Sequence, residues 1–140
     1  MPAPSHTALG TWSGGRFMRF GEPLDERRFV ELVRPDERID TVLVIVEPTP
    51  KSLEVGARAV ALAQEKSLGR IIVVANRVRG DADVATVRDA FPGVEVVPVP
   101  DDPAIVEADR QGVAPIDLAP DAPAVRALVG LANDLVPAPA

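Results

Sequence analysis

The sequence predicts an α/β domain of three layers, with a mainly parallel sheet carrying helices on both faces. Three observations lead there. Residues 41–46 and 70–75 are runs of β-branched and aliphatic residues without polar alternation, the pattern of strands covered on both sides. Each run is followed by a segment of helical spacing, so the elements read β-α-β-α-β-α-α. That order implies crossover connections between parallel strands. The chain has 140 residues, enough for one domain with a core of its own.

The elements follow in order. Residues 1–21 read as a flexible tail, rich in proline and glycine and without a period of 2 or 3.6. Its Trp12, Phe17, Met18 and Phe20 mark it as able to dock on a surface. Residues 22–140 read as a single α/β domain. Pro23 opens an expected helix over about 23–33, which Arg34-Pro35 ends. Thr41–Val46 is the first strand. Thr49 is the expected N-cap and Pro50 the first residue of the next helix, with Leu53, Ala57, Val60 and Ala61 as its buried face and Gly69 as its C-cap. Arg70–Ala75 is the second strand, ending in Asn76-Arg77-Val78. Asp81–Ala90 is a short helix that buries Val84, Val87 and Phe91. Val94–Val97 is the third strand, with Pro98-Val99-Pro100 at its end. Helices are expected at about 103–111 and 121–136, the last burying Val125, Leu128, Val129, Ala132 and Leu135.

Composition excludes several functions. The chain has no cysteine, which removes disulfides, thiolate metal sites and cysteine nucleophiles. Its one histidine, His6, lies in the tail, so neither a Ser-His-Asp triad nor a histidine metal site is expected. The formal charge is −6, and residues 101–140 hold seven acidic against two basic side chains, a poor surface for nucleic-acid phosphates. No apolar run reaches 18 residues, so no membrane span is expected. The first residues lack the pattern of a secretory signal, and the expected location is the cytoplasm. Asp81, Asp83 and Asp89 lie on one short helix and read as a solvated face rather than a cation site. Asp101, Asp102, Glu107 and Asp109 read as favourable charges at a helix start.

In parallel sheets ligands sit at the carboxyl ends of the strands. Here those ends are Glu47-Pro48, Asn76-Arg77 and Pro98-Val99-Pro100-Asp101-Asp102. Read in order, these segments, together with Ser52-Leu53 and the tract 105–112, resemble the C-terminal half of the MinD/ParA-type P-loop ATPases. The resemblance covers about residues 40–135. Its nearest subgroup is the accessory ATPases that help insert nickel into carbon monoxide dehydrogenase. It implies a partial P-loop NTPase-like fold with a nucleotide base at the strand ends. Asn76 inherits the place of the asparagine that faces the adenine edge, where a carboxamide matches the paired donor and acceptor of the base. Pro100, Asp101 and Asp102 match the loop on the other side of the base, and the guanidinium of Arg77 is placed to stack on a purine. Each position also has a plain structural role: Asn76 as a turn residue in left-handed geometry, and Asp101-Asp102 as the cap of the next helix, with Pro103 in its first turn.

The other half of such a site is missing. A phosphate-binding loop needs glycines ending in Gly-Lys-Ser/Thr, and neither Lys51 nor Lys66 follows a glycine. The nearest imitation, Gly10-Thr11-Trp12-Ser13-Gly14-Gly15-Arg16, has neither a preceding strand nor a following hydroxyl residue. The subgroup's metal-binding cysteine pair has no counterpart. No catalytic residue and no metal ligand is therefore assigned. The expected function is a catalytically silent, truncated or degenerate nucleotide-binding domain that serves as an interaction or assembly module. ATP or ADP would bind weakly, and the expected partner is another protein or a second copy in a homodimer. One alternative is a fragment or variant of a complete ATPase that binds and hydrolyses ATP with dimerisation. The other is an unrelated small α/β binding protein.

Overall fold

The computed structural model describes residues 10–13, 16–19 and 39–136. Three parallel strands form the central sheet: β3 (Thr41–Val46), β4 (Arg70–Val78) and β5 (Glu95–Pro100), with β4 in the middle. Thr41 pairs with Arg70 and Val46 with Ala75, while Ile72 pairs with Glu95 and Asn76 with Val99. Successive side chains point to opposite faces, so a continuous aliphatic run fills two cores at once. Val44, Val46, Val73 and Ala75 pack in one cluster with Val60 and Leu62 of α1 (Pro50–Glu65), Val87 of α2 (Asp81–Ala90) and Phe91 just after it. Ile72, Val74 and Val99 pack on the other face with Ala124 and Leu131 of α5 (Pro123–Leu135), supported by Ile105 of α3 (Pro103–Gln111). A one-turn α4 (Pro115–Leu118) joins these two helices. The sheet with helices on both faces is the arrangement the sequence predicts.

The hinges of the fold are local. Thr49 caps α1 by accepting from the Ser52 amide at 3.3 Å, with Pro50 in the first turn. The fully buried Ser52 in turn accepts from the Glu47 amide at 2.9 Å and so ties strand end to helix start. The far end of α1 differs from expectation. Ser67, not Gly69, takes the left-handed conformation (φ 52°), with Leu68 N donating to Ala63 O and Ser67 N to Gln64 O. These two bonds are the Schellman pattern. Gly69 serves another need, since a Cβ there would run into the carbonyl oxygen of Asp40, which accepts from Arg70 N at 2.9 Å.

Two helices bury only part of the faces expected: Val60 and Leu53 of α1, and Val125 and Leu135 of α5, pack inward as the sequence predicts. In α1 the buried residues include Ser52, Gly56, Ala59, Val60 and Ala63, while Ala57 and Ala61 are exposed. The small residues let the helix approach the sheet, and a Cβ on Gly56 would strike Val46. In α5 Leu128, Val129 and Ala132 are exposed, and Ala124, Val125 and Leu131 are buried. Arg126, Asn133 and Asp134 mark a polar side, but the apolar arc is wider than the contact with the sheet, so part of it stays exposed.

A further difference lies near the N-terminus. β1 (Gly10–Ser13) and β2 (Arg16–Arg19) pair antiparallel, with Trp12 opposite Phe17, where the sequence had offered no strand. The helix expected over 23–33 lies outside the described residues.

Candidate site at the strand ends

β4 outruns its expected end and carries a bulge there. Its register with β5 shifts between Asn76 and Val78, and Arg77 between them is left-handed at φ 58°. The extra residue reverses the alternation, so Val78 turns into the first core although Arg77 is exposed. Left-handed geometry therefore falls on Arg77 rather than on Asn76. A bulged, left-handed non-glycine residue is costly, and here it aims the arginine across the carboxyl ends of all three strands.

Arg77 Nη1 lies 3.3 Å from Glu47 Oε1 at the end of β3, and its Nε 3.6 Å from Asp101 Oδ1 after β5. Arg79 Nε lies 3.6 Å from Asp101 Oδ2. Asp101 is tied down through its amide, which donates to Val78 O at 2.9 Å. The guanidinium expected to stack on a purine is thus engaged by two carboxylates in the plane of the strand ends, although its side chain stays 55% exposed. Glu47 and Arg79, to which the sequence assigned no role, belong to this cluster. The signal for Glu47 was its place at a strand's carboxyl end; for Arg79 there was none.

Asn76 sits within the ladder, opposite Val99, with a half-buried carboxamide that has no hydrogen-bond partner among the described residues. Beside the cluster is an open depression of about 560 Å³ lined by Val78, Arg79, Gly80, Asp81, Val84, Pro98, Pro100 and Asp101. Of the five residues singled out from the sequence, Pro100 and Asp101 line it, whereas Asn76, Arg77 and Asp102 do not. Asp102 is buried and doubly committed. Its Oδ1 accepts from Ala104 N at 3.0 Å, capping α3, and its Oδ2 accepts from Ala124 N at 3.0 Å in the first turn of α5. Its carboxylate joins two helix starts, the capping role with a second helix added.

Among the described residues no group of three or more His, Cys, Asp or Glu is placed to hold a metal ion. No helix among them is long and apolar enough to cross a membrane. The fit to a nucleotide is one-sided. Val78, Pro98 and Pro100 form an apolar floor that suits a planar base, but Asn76 shares the opposite face of the sheet with Val99, and no described residue at the strand ends offers the nest of amides and lysine that a polyphosphate needs.

The parallel sheet, its layers and the strand-end cluster define a chain with the fold of part of a MinD/ParA-type P-loop ATPase. No protein-family profile matches it. In sequence it is similar to the carbon monoxide dehydrogenase accessory protein CooC of Rhodospirillum rubrum, 29% identical over 85 residues, which are 60% of this chain and 32% of that protein. In structure it is similar to the septum site-determining protein MinD of Pyrococcus horikoshii, complexed with Mg-ADP, at a TM-score of 0.58 and 20% identity. That match covers 69% of this chain and 41% of the other. MinD of Aquifex aeolicus in its MinC:MinD complex matches at 0.56 and 22% identity, over 72% and 46%. The chain spans less than half the length of each of these proteins.

Proposed function

We propose that this chain is a catalytically silent, nucleotide-base-binding module of the MinD/ParA type that acts through assembly with a protein partner or a second copy. The observation that carries it is the strand-end edge itself. Asn76 presents a half-buried carboxamide without a hydrogen-bond partner among the described residues, near the carboxyl end of the central strand, and the sequence has no Gly-Lys-Ser/Thr loop. The similarity to a MinD bound to Mg-ADP supports a base at this edge, and the similarity to a MinC-bound MinD supports a protein partner. An amide can read the adenine edge, while among the described residues the cations at this edge, Arg77 and Arg79, are already paired with carboxylates.

Calorimetric titration with ADP and ATP, with magnesium, tests this. Binding is expected at about millimolar strength, near 4 kcal/mol, with no phosphate released. Micromolar binding or magnesium-dependent turnover overturns the silent-module assignment. Asn76→Ala is expected to abolish the weak binding while leaving stability within about 1 kcal/mol. Equal loss of both would return Asn76 to a purely structural role.

The short span against its relatives favours a second reading, in which these residues are the base-binding part of a complete ATPase that hydrolyses ATP with dimerisation. Sequencing the DNA upstream of Met1 tests it. A coding strand followed by a glycine-rich Gly-Lys motif supports the complete ATPase, and its absence counts against it.

A further inference from the structure

No polar contact among the described residues fixes the carboxamide of Asn76, so its direction is set by the backbone that carries it. Asn76 stands immediately before the bulge, where the register with β5 slips and Arg77 takes φ 58°. Left-handed geometry is unfavourable for an arginine, and it persists only where the surroundings hold it. Here the holding contacts come from Arg77 itself. Its guanidinium lies 3.3 Å from Glu47 Oε1 on one side and 3.6 Å from Asp101 Oδ1 on the other. Both acidic residues are anchored through their own backbone, the Glu47 amide donating to Ser52 Oγ and the Asp101 amide to Val78 O, each at 2.9 Å. The Glu47 side chain is only 16% exposed, so its charge depends on the cation beside it. Arg79 also lies 3.6 Å from Asp101, which makes the Glu47 side of the bridge the sharper place to test it.

We propose that Arg77 is a positioning residue for base recognition: its bridge between Glu47 and Asp101 holds the bulge, and with it the direction of the Asn76 carboxamide. This rests on the base-binding reading above and replaces the stacking role expected for Arg77. The bridge runs from Glu47 after β3, through Arg77 in β4, to Asp101 after β5, so it sets the three strand ends relative to one another. A planar guanidinium suits it, because its fork presents separate N–H groups to two carboxylates at a fixed spacing. The two roles for Arg77 lead to opposite expectations. As a stacking platform, an arginine released from Glu47 serves a base as well or better. As a bridge, it loses its hold when Glu47 loses its charge, and Asn76 loosens although Glu47 itself is no base contact.

Side-chain amide NMR of the full, nitrogen-15-labelled chain tests this. The carboxamides of the sequence are those of Asn76, Asn133, Gln64 and Gln111, so the spectrum is sparse, and the signal missing from Asn76→Ala is that of Asn76. Arg77→Gly accepts the left-handed backbone without the guanidinium, and Glu47→Gln keeps the shape without the charge. Both are expected to shift the Asn76 carboxamide and lower its heteronuclear NOE, while Asn133 of α5 stays in place. If one variant fails to fold, which a displaced Asn133 signal reveals, the other carries the test. Adenosine has no phosphate for an arginine to meet. It should bind the wild-type chain at about millimolar strength and both variants at least about fivefold more weakly. An Asn76 carboxamide unmoved in the folded variants overturns the positioning role, and so does a Glu47→Gln chain that binds adenosine as well as the wild type. A wild-type chain that does not bind adenosine overturns the base-binding reading itself, and the role of Arg77 falls with it.

Discussion

Replacing Asp102 with alanine probes the joint that holds the second helical layer to the sheet. The side chain is 9% exposed and its two oxygens each accept one backbone amide, Ala104 N of α3 and Ala124 N of α5, both at 3.0 Å. Loss of the cap on α3 costs about 1 kcal/mol. The Ala124 amide is then left buried without a partner, at about 1–3 kcal/mol. The expected loss is therefore about 3 kcal/mol, or a fall in melting temperature near 10 °C for a domain of this size. Asp102→Ser separates the two contributions. Its single hydroxyl can still cap α3 but has no second oxygen for the Ala124 amide, so it should lose roughly 1–2 kcal/mol. Urea unfolding followed by circular dichroism, fitted with a shared m-value, gives both numbers. An alanine variant that loses less than about 0.5 kcal/mol would refute the bridging role.

Two further substitutions test the ends of α1 and β4. Gly69→Ala drives a methyl into the Asp40 carbonyl and should destabilise by about 1–3 kcal/mol in the same urea assay. Ser67→Gly should stabilise by roughly 0.5 kcal/mol, because relief of the left-handed strain at φ 52° exceeds the added entropy of the unfolded glycine. A destabilised glycine variant would show that the Ser67 side chain contributes more than its backbone strain costs.

The layer order was legible because continuous aliphatic runs and proline-led helix starts are local signals, and Thr41–Val46, Thr49-Pro50 and Asp102-Pro103 reported them directly. Burial by a helix is not local. Which stripe of α1 faces the sheet depends on what the sheet allows, and Ser52, Gly56 and Ala59 are chosen for being small rather than apolar. The two-residue Gly14-Gly15 step between Gly10–Ser13 and Arg16–Arg19 was a hairpin signal in plain view. The flanking strands are only four residues long and show no alternation, so the glycine pair stands there without the usual strand pattern beside it.

The strand-end edge was legible by topology, and Pro100 and Asp101 line the depression there, while Asn76 and Arg77 do not. What one dimension concealed was the charge balance across it. Glu47 and Asp101 supply two negative charges, and Arg77 and Arg79 supply two positive ones, within ion-pair distances of 3.3–3.6 Å. A neutral cluster with its cations already engaged exerts little pull on a polyphosphate, because each phosphate oxygen must displace a carboxylate that is held in place. Recognition at such an edge rests on the base, whose contacts are directional but uncharged. Adenosine and ATP should then bind with dissociation constants within about tenfold of one another, a difference under about 1.4 kcal/mol, and added salt should change neither by much. Titrating both ligands at low and high ionic strength checks this. A marked preference for ATP that fades with salt would mean that Arg77 and Arg79 leave their carboxylates to hold phosphate, and that the charge balance at rest is not the balance in the bound state.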